Sequence, residues 1–475
     1  MSSIRTRFAP SPTGFLHVGN IRTGFFAWLV ARHFGGTFIL RLEDTDKKRE
    51  VEGSADHLLE CLRVLAIQYD EGIGIGGPYG PYKQSERLAI YKAWAQKLID
   101  NGRAYADPYT PEELEAFRTQ AKSEKRAFLY RHHRPENPPI WDGSQPLRFK
   151  SDPKSYTWHD EVMGELSTGP EVIDDFILIK SDGYPTYNFA HIVDDAEMKI
   201  THLIRGQEYI ASQPNYLNLY EALGVTPPVF ATVPHILAAT GGKKLGKRDG
   251  AKDVLDYIRE GILPEALVNF IASLGWNDGT EQEVFSRDEL IAKFTLDRVQ
   301  RSGARFDEQR LIWLNGQWIR RLELDDLYQR VVSFWPDTAK GADESLKKQV
   351  LGLVQDRLKT LADLPLMTNY FFEEPTPDWS MIETNKQLKK LEKNEIQNLL
   401  EQSAGALEAS DFTPDAIQAT LNQLLETTGQ KPAVLFSLIR LAVSWAPFSP
   451  ALNETLAVLS KEVTLKRLME VTNAK

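Results

Sequence analysis

The chain has 475 residues, which at about 150 per domain means roughly three domains and enough length to bury substantial cores. Against 56 Lys plus Arg stand 66 Asp plus Glu, a formal charge of −10, and the 42% hydrophobic and 10% aromatic content excludes extended disorder. The single cysteine, Cys61, excludes a disulfide framework and a multi-cysteine zinc site, and the net charge alone points to a small-molecule enzyme with no affinity for polyanions.

In chain order, residues 1–5 lack the apolar core of a signal peptide. Residues 4–8 have β-strand composition, and Pro10-Ser11-Pro12-Thr13-Gly14 then forces a loop. Residues 18–34 read as a buried helix stopped by Gly35-Gly36, and residues 37–42 as a second strand running into Glu43-Asp44-Thr45-Asp46. A strand, a helix and a strand in this order predict a βαβ unit and hence a parallel sheet. Residues 85–101 read as a helix, and Thr110-Pro111-Glu112-Glu113 as a capping box with proline at the first helical position. Residues 120–175 read as an irregular, proline-rich insertion, and residues 176–180 and 184–192 as the arms of a hairpin around Ser181-Asp182-Gly183. Beyond residue 323 strand signals fade, and residues 346–361, 394–407 and 433–445 have helical periodicity, which predicts an all-helical C-terminal domain. No run of about 18 apolar residues is present, so no membrane partner and a cytoplasmic location are expected.

Charge is unevenly spread. Residues 1–50 hold 8 basic and 4 acidic side chains, residues 151–200 hold 3 and 11, and residues 201–250 hold 5 and 3. Two motifs fall in the basic stretches. His17-Val18-Gly19-Asn20 sits where the first strand hands over to the first helix, where backbone N–H groups favour phosphate oxygens and glycine allows close approach. Gly241-Gly242-Lys243-Lys244-Leu245-Gly246-Lys247-Arg248-Asp249-Gly250 is a cationic loop suited to a polyphosphate. Taken singly, each also fits an exposed turn.

Together with Phe8-Ala9-Pro10-Ser11-Pro12-Thr13-Gly14 and Arg41-Leu42-Glu43-Asp44-Thr45-Asp46, these motifs resemble the class I aminoacyl-tRNA synthetases, and more narrowly the bacterial-type glutamyl-tRNA synthetases. Supporting stretches are Gly80-Pro81-Tyr82-Lys83-Gln84-Ser85-Glu86-Arg87, Lys180 to Asn188, Val193-Asp194-Asp195 and Ile204-Arg205-Gly206. The resemblance runs in order from residue 4 to about residue 320, and more loosely to the end.

It implies an α/β fold: a Rossmann-type parallel-sheet catalytic domain (1–100 and 190–240) split by an α/β acceptor-end-binding insertion (101–189). A stem-contact helical region carrying the lysine loop (241–322) and an all-helical anticodon-binding domain (323–475) would follow. The implied reaction is ATP-dependent activation of L-glutamate to glutamyl-adenylate, with tRNA required for that step, and transfer to the terminal adenosine of tRNA-Glu. His17, Lys244 and Lys247 match the catalytic positions, and Thr13, His17, Gly19, Glu208, Lys244 and Lys247 match the ATP site, with magnesium accompanying ATP. Arg7 and Arg205 match the substrate arginines, Ser11 and Glu43 the α-ammonium site, and Tyr187 a hydroxyl contact. His191 fits a substrate contact or a packed core histidine. Arg357 falls near a position that reads the third anticodon base, where arginine resembles the form charging tRNA-Glu only. A form that also charges tRNA-Gln, and a catalytically weak tRNA-binding paralogue, remain as alternatives. Relatives are commonly monomers, so a monomer is expected.

Three departures from the family pattern stand out. Asn20 replaces a second histidine, Gly246 replaces a common serine, and Ala104-Tyr105-Ala106-Asp107-Pro108-Tyr109-Thr110 has no cysteine where many relatives bind zinc. The adjacent His132 and His133 cannot supply four ligands, so no zinc is expected.

Overall fold

The computed structural model describes residues 3–246, 252–446 and 449–473. The chain folds as two compact units, Met1–Tyr257 with Leu267–Asp307, and Ile258–Ala266 with Glu308–Lys475.

The first unit opens with the expected βαβ unit of β1 (Arg5–Phe8), α1 (Val18–His33) and β2 (Thr37–Leu40). β2 pairs parallel to β1 from Arg5↔Thr37 to Phe8↔Leu40. α1 is apolar on almost every side and is therefore buried on almost every side, with Ile21, Phe25, Phe26, Leu29 and Val30 inside. It meets the sheet at Gly24, where a Cβ would lie 2.8 Å from the Phe8 ring. The second strand stops at Leu40, not residue 42, because the Leu42 N–H turns to the Tyr82 carbonyl and the Glu43 N–H to Pro10. After α2 (Ser54–Val64), the short β3 (Glu71–Gly72) adds parallel to β2.

α3 (Leu88–Asp100), β4 (Ala104–Ala106), α4 (Pro111–Ser123), β5 (Leu147–Phe149), β6 (Tyr156–Asp160), β7 (Gly164–Thr168), β8 (Ile177–Ile179) and α5 (Tyr187–Glu197) follow. α4 begins with the expected capping box between Thr110 and Glu113. The structure departs twice from the sequence expectation in this stretch. Residues 120–175 contain three strands; β5 joins β4 and β8 in an antiparallel sheet, while the β6–β7 hairpin pairs through Asp160↔Phe230 with the parallel ladder described next. The expected second hairpin arm is the helix α5, although Ile179 and Pro185 do form one antiparallel bridge. Its run Phe189 to Asp195 is wholly buried, so neither a period of two nor one of 3.6 was visible.

β9 (His202–Gly206), α6 (Gln213–Leu223) and β10 (Val229–Val233) form that ladder, in register from His202↔Val229 to Gly206↔Val233. The Thr201 N–H donates to the Arg5 carbonyl at 2.9 Å, setting the start of β9 beside β1. β11 (Ile236–Leu237) pairs parallel with β12 (Ala304–Arg305), and α7 (Val254–Arg259), α8 (Pro264–Ser273) and α9 (Arg287–Lys293) lie between them in sequence.

The second unit is helical among its described residues, from α10 (Glu308–Ile319), α11 (Leu324–Arg330) and α12 (Glu344–Val354) through the short α13 (Leu364–Thr368) and α14 (Ser380–Thr384). α15 (Lys393–Glu408), α16 (Pro414–Thr428), α17 (Pro432–Ser444), α18 (Leu452–Leu459) and α19 (Lys461–Asn473) complete it around Leu400, Leu421, Leu438, Leu456 and Leu468. The helix expected over 346–361 ends at Val354, because the buried Asn315 amide holds the Lys359 carbonyl at 2.7 Å outside helical register.

Candidate active site

The carboxyl ends of β1, β9 and β10 deliver Arg7, Arg205 and Val233 to one cavity of about 480 Å³ within the first unit. A crevice at the carboxyl ends of parallel strands is where such sheets bind ligands. Of the residues singled out from the sequence, Arg7, Ser11, Thr13, His17, Gly19, Glu43, Tyr187, Arg205, Glu208 and Lys244 all line it. Lys247 lies outside the described residues, as does the rest of its motif from Arg248 to Gly250. Arg357 is exposed in a 3₁₀ turn of the second unit.

His17 caps α1: its Nδ1 accepts from the Gly19 N–H at 3.1 Å. An Nδ1 acting as acceptor leaves the ring proton of the neutral imidazole on Nε2, so that nitrogen is the donor. Close by, Glu208 stands 3.6 Å from both Lys244 Nζ and His235 Nδ1. The His235 N–H is held by Gln207 Oε1 at 3.1 Å, and burial beside Lys244 disfavours its charged form. The lysine-rich segment enters as a narrow β-like turn, with the Ala238 and Leu245 N–H groups bonded to Lys243 and Ile236 carbonyls.

The two substrate-candidate arginines sit in different surroundings. Arg7 donates to both carboxylate oxygens of Asp195, at 3.2 and 3.4 Å. Arg205 lies over the rings of Tyr209, Tyr216 and Phe230 at 5.3–5.7 Å, and no carboxylate among the described residues pairs with it. Glu43 is buried and accepts from Arg41 at 3.1 Å; burial raises its carboxyl to about 7 against the opposing pull of Arg41 and Arg7. The Tyr187 ring stacks on Tyr209 on one side and on His191 on the other, with centroids 5.2 and 4.6 Å apart.

His191 does not line the cavity. It is fully buried behind Tyr187, Nδ1 bonds the Tyr187 carbonyl at 2.7 Å, and burial drops its protonation to about 3. A neutral packed ring that backs Tyr187 is therefore its place in this fold.

Sequence reasoning missed the buried ionic lattice beneath the cavity. Arg41 donates to Asp195 at 2.8 Å and stands 3.6 Å from Asp194, which accepts from Arg87, Gln84 and Tyr91 at 2.7–3.0 Å. Asp195 is held near 2 by Arg7 and Arg41 despite its burial. The one available signal was the Asp194-Asp195 pair directly after an apolar run, since buried carboxylates need partners. Arg22 was also missed: it lines the cavity, its guanidinium bonding the Pro234 and Leu274 carbonyls.

Within residues 101–189, Asp107 accepts from Arg148 at 2.6 Å and from the Tyr130 hydroxyl. Tyr109, Phe117, Phe128 and His133 pack ring to ring beside it. Among the described residues, the one group of three potential metal ligands within 4.8 Å is His57, Cys61 and Asp253, outside the cavity lining.

Residues 3–313 match the family described as tRNA synthetases class I (E and Q), catalytic domain, and residues 326–472 match the anticodon binding domain family. A glutamate–tRNA ligase of Clostridium botulinum is 40% identical over 98% of this chain and 97% of its own length. One of Heliobacterium modesticaldum is 40% identical over 98% and 96%. The crystal structure of a glutamate tRNA ligase from Elizabethkingia meningosepticum, in complex with its amino acid, superposes with a TM-score of 0.90 at 32% identity and covers all of both chains. With its parallel-sheet catalytic unit and helical anticodon-binding domain, this chain belongs to the class I tRNA synthetases of the E and Q group.

Proposed function

We propose that this protein is a glutamate–tRNA ligase that activates L-glutamate with ATP and transfers it to the 3′-terminal adenosine of tRNA-Glu. One observation carries the choice of amino acid: of the buried guanidiniums that line the cavity, Arg7 shares Asp195 with Arg41, Arg22 bonds two backbone carbonyls, and Arg205 meets aromatic rings with no carboxylate partner among the described residues. Arg205 is a buried positive charge open to a carboxylate. Glutamate, with two carboxylates and one ammonium, brings one negative charge and neutralises it; glutamine, with no net charge, leaves a buried guanidinium without a partner. Arg7 and Arg205 take the two carboxylates, Ser11 and Glu43 the ammonium, and Tyr187 adds its hydroxyl.

The substrate carboxylate is already ionised, so activation needs no general base. A carboxylate oxygen attacks the α-phosphorus of ATP and pyrophosphate leaves. Negative charge growing on the phosphoryl oxygens meets the His17 Nε2–H, the start of α1, Lys244 and Lys247. Glu208 accepts from the ribose hydroxyls, which releases Lys244 from its present neighbour toward the phosphates. Thr13 and Gly19 line the nucleotide path, and ATP arrives as its magnesium complex. The ribose 2′-hydroxyl of the tRNA then attacks the activated carbonyl and AMP leaves.

The insertion (101–189) takes the acceptor end, residues 241–322 the stem, and residues 323–475 the anticodon. Arg357, exposed on the second unit, reads the third anticodon base, so charging is confined to tRNA-Glu. Among the described residues no helix is long and apolar enough to cross a membrane, and the proposed setting is a cytoplasmic monomer. Aminoacylation of tRNA-Glu and tRNA-Gln transcripts tests the assignment: only tRNA-Glu is expected to accept glutamate, and equal charging of both would show the non-discriminating form instead.

A further inference from the structure

The first turn of α2 touches the loop before His17 and the segment that follows the lysine-rich stretch. Ser54 Oγ and the Val51 N–H both donate to the Pro12 carbonyl, at 2.9 and 2.8 Å. One turn further on, His57 Nε2 lies 2.7 and 2.9 Å from the two carboxylate oxygens of Asp253. Asp253 in turn forms an antiparallel bridge with His17, and the Val254 N–H donates to the Leu16 carbonyl at 3.2 Å. Its carboxylate also accepts from the Leu255 N–H at 2.7 Å, at the start of α7. The imidazole also meets Phe15, a cavity-lining residue, with ring centroids 4.7 Å apart.

We propose that His57 is a positioning residue for ATP activation: through Asp253 it fixes the backbone bridge that sets His17 in the cavity and anchors residues 253–254 against it. The proposal rests on the ligase reading above. A carboxylate only accepts, so Nε2 donates and the ring is oriented by that bond. His17 caps α1 through Nδ1, so the direction of its Nε2–H depends on where the backbone at residue 17 sits. A displacement of about 1 Å at such a group is enough to cost around two orders of magnitude in rate.

The same three side chains suit a metal ion less well as they stand. Cys61 Sγ is 3.6 Å from Nδ1 and 3.7 Å from Nε2, equidistant from both ring nitrogens and so over the ring face, away from the in-plane lone pair. Burial also pushes the thiol up to about 12, away from the thiolate a metal needs.

The test compares wild type with His57→Ala and His57→Gln, whose amide can still donate to Asp253. Amide hydrogen exchange at Val254 reads the bridge directly, whatever the enzyme's substrate. tRNA-dependent ATP–pyrophosphate exchange reads its effect on chemistry. His57→Ala is expected to lose Val254 protection and about 10- to 100-fold in kcat, with the KM for glutamate within about twofold, and His57→Gln to recover most of both. Unchanged protection and kcat in His57→Ala would overturn the proposal. So would equal losses in both variants together with a large fall in Tm, since that marks mere structural damage. One equivalent of zinc held by wild type and lost in both His57→Ala and Cys61→Ala would replace it with a metal site. Inactivity of wild type toward glutamate would refute the ligase reading, while Val254 exchange would still decide the bridge.

Discussion

Arg7 and Arg205 bring the same charge to one cavity, but their surroundings separate what their loss does. Arg205 has aromatic rings around it and, among the described residues, no carboxylate to orphan. Arg205→Ala is therefore expected to lower glutamate kcat/KM by about 100- to 1,000-fold, roughly 3–4 kcal/mol of transition-state binding, with little change in Tm. Arg7→Ala removes a partner of Asp195 as well, leaving that buried carboxylate to Arg41, so it is expected to lose kcat/KM and several degrees of Tm together. Steady-state exchange kinetics beside thermal unfolding distinguish the two; near-normal kinetics in either variant would remove that arginine from the site. Glu43 gives a pH signature. Its carboxyl is raised to about 7 in the free protein, above the value of an unfolded chain, so the neutral form prevails below that pH and the ammonium-binding carboxylate above it. Glutamate kcat/KM is expected to rise as pH climbs through about 7, and this limb should vanish in Glu43→Gln. The sign for stability is opposite: the unfolded chain's carboxyl ionises near 4.5 while the buried one stays protonated, so the contribution of Glu43 is full below about 4.5 and is lost as pH rises from there to about 7.

Elements were legible where local rules decide them. The β1–α1–β2 unit declared itself by a β-branched strand, an apolar helix and a double-glycine stop, and α4 by its capping box. α5 read as strand because a helix buried on all sides shows no period, and β5 to β7 were hidden in a proline-rich stretch whose strands are three to five residues long. In residues 101–189, Asp107 with Arg148 and Tyr130, and the Tyr109, Phe117 and His133 rings, form a packed node that contains no cysteine. Asp107→Ala leaves the Arg148 guanidinium buried without its carboxylate, so a loss of about 3–5 kcal/mol and faster proteolysis within 101–189 are expected. Metal analysis of the purified protein is expected to find no stoichiometric zinc; one bound equivalent that persists in His57→Ala and Cys61→Ala would contradict a zinc-free fold of residues 101–189.

At the scale of the molecule, the ten cavity-lining residues were legible because their motifs are contiguous, whereas the lattice of Arg41, Arg87, Asp194 and Asp195 was not. Its arginines lie more than 100 residues from its aspartates, and they meet only in the folded chain, which no local pattern encodes. Net charge misled for a related reason: a total of −10 averages over basic stretches that the fold uses locally. tRNA affinity is accordingly expected to fall steeply between low and physiological salt, and a flat response would argue against phosphate contacts. In the proposed reaction one cavity couples ATP to glutamate, and does so only with tRNA bound. ATP–pyrophosphate exchange reads that coupling. Exchange is expected with glutamate and tRNA-Glu together, and neither without tRNA nor with glutamine in place of glutamate; no exchange with the full set, or equal exchange with glutamine, would contradict it.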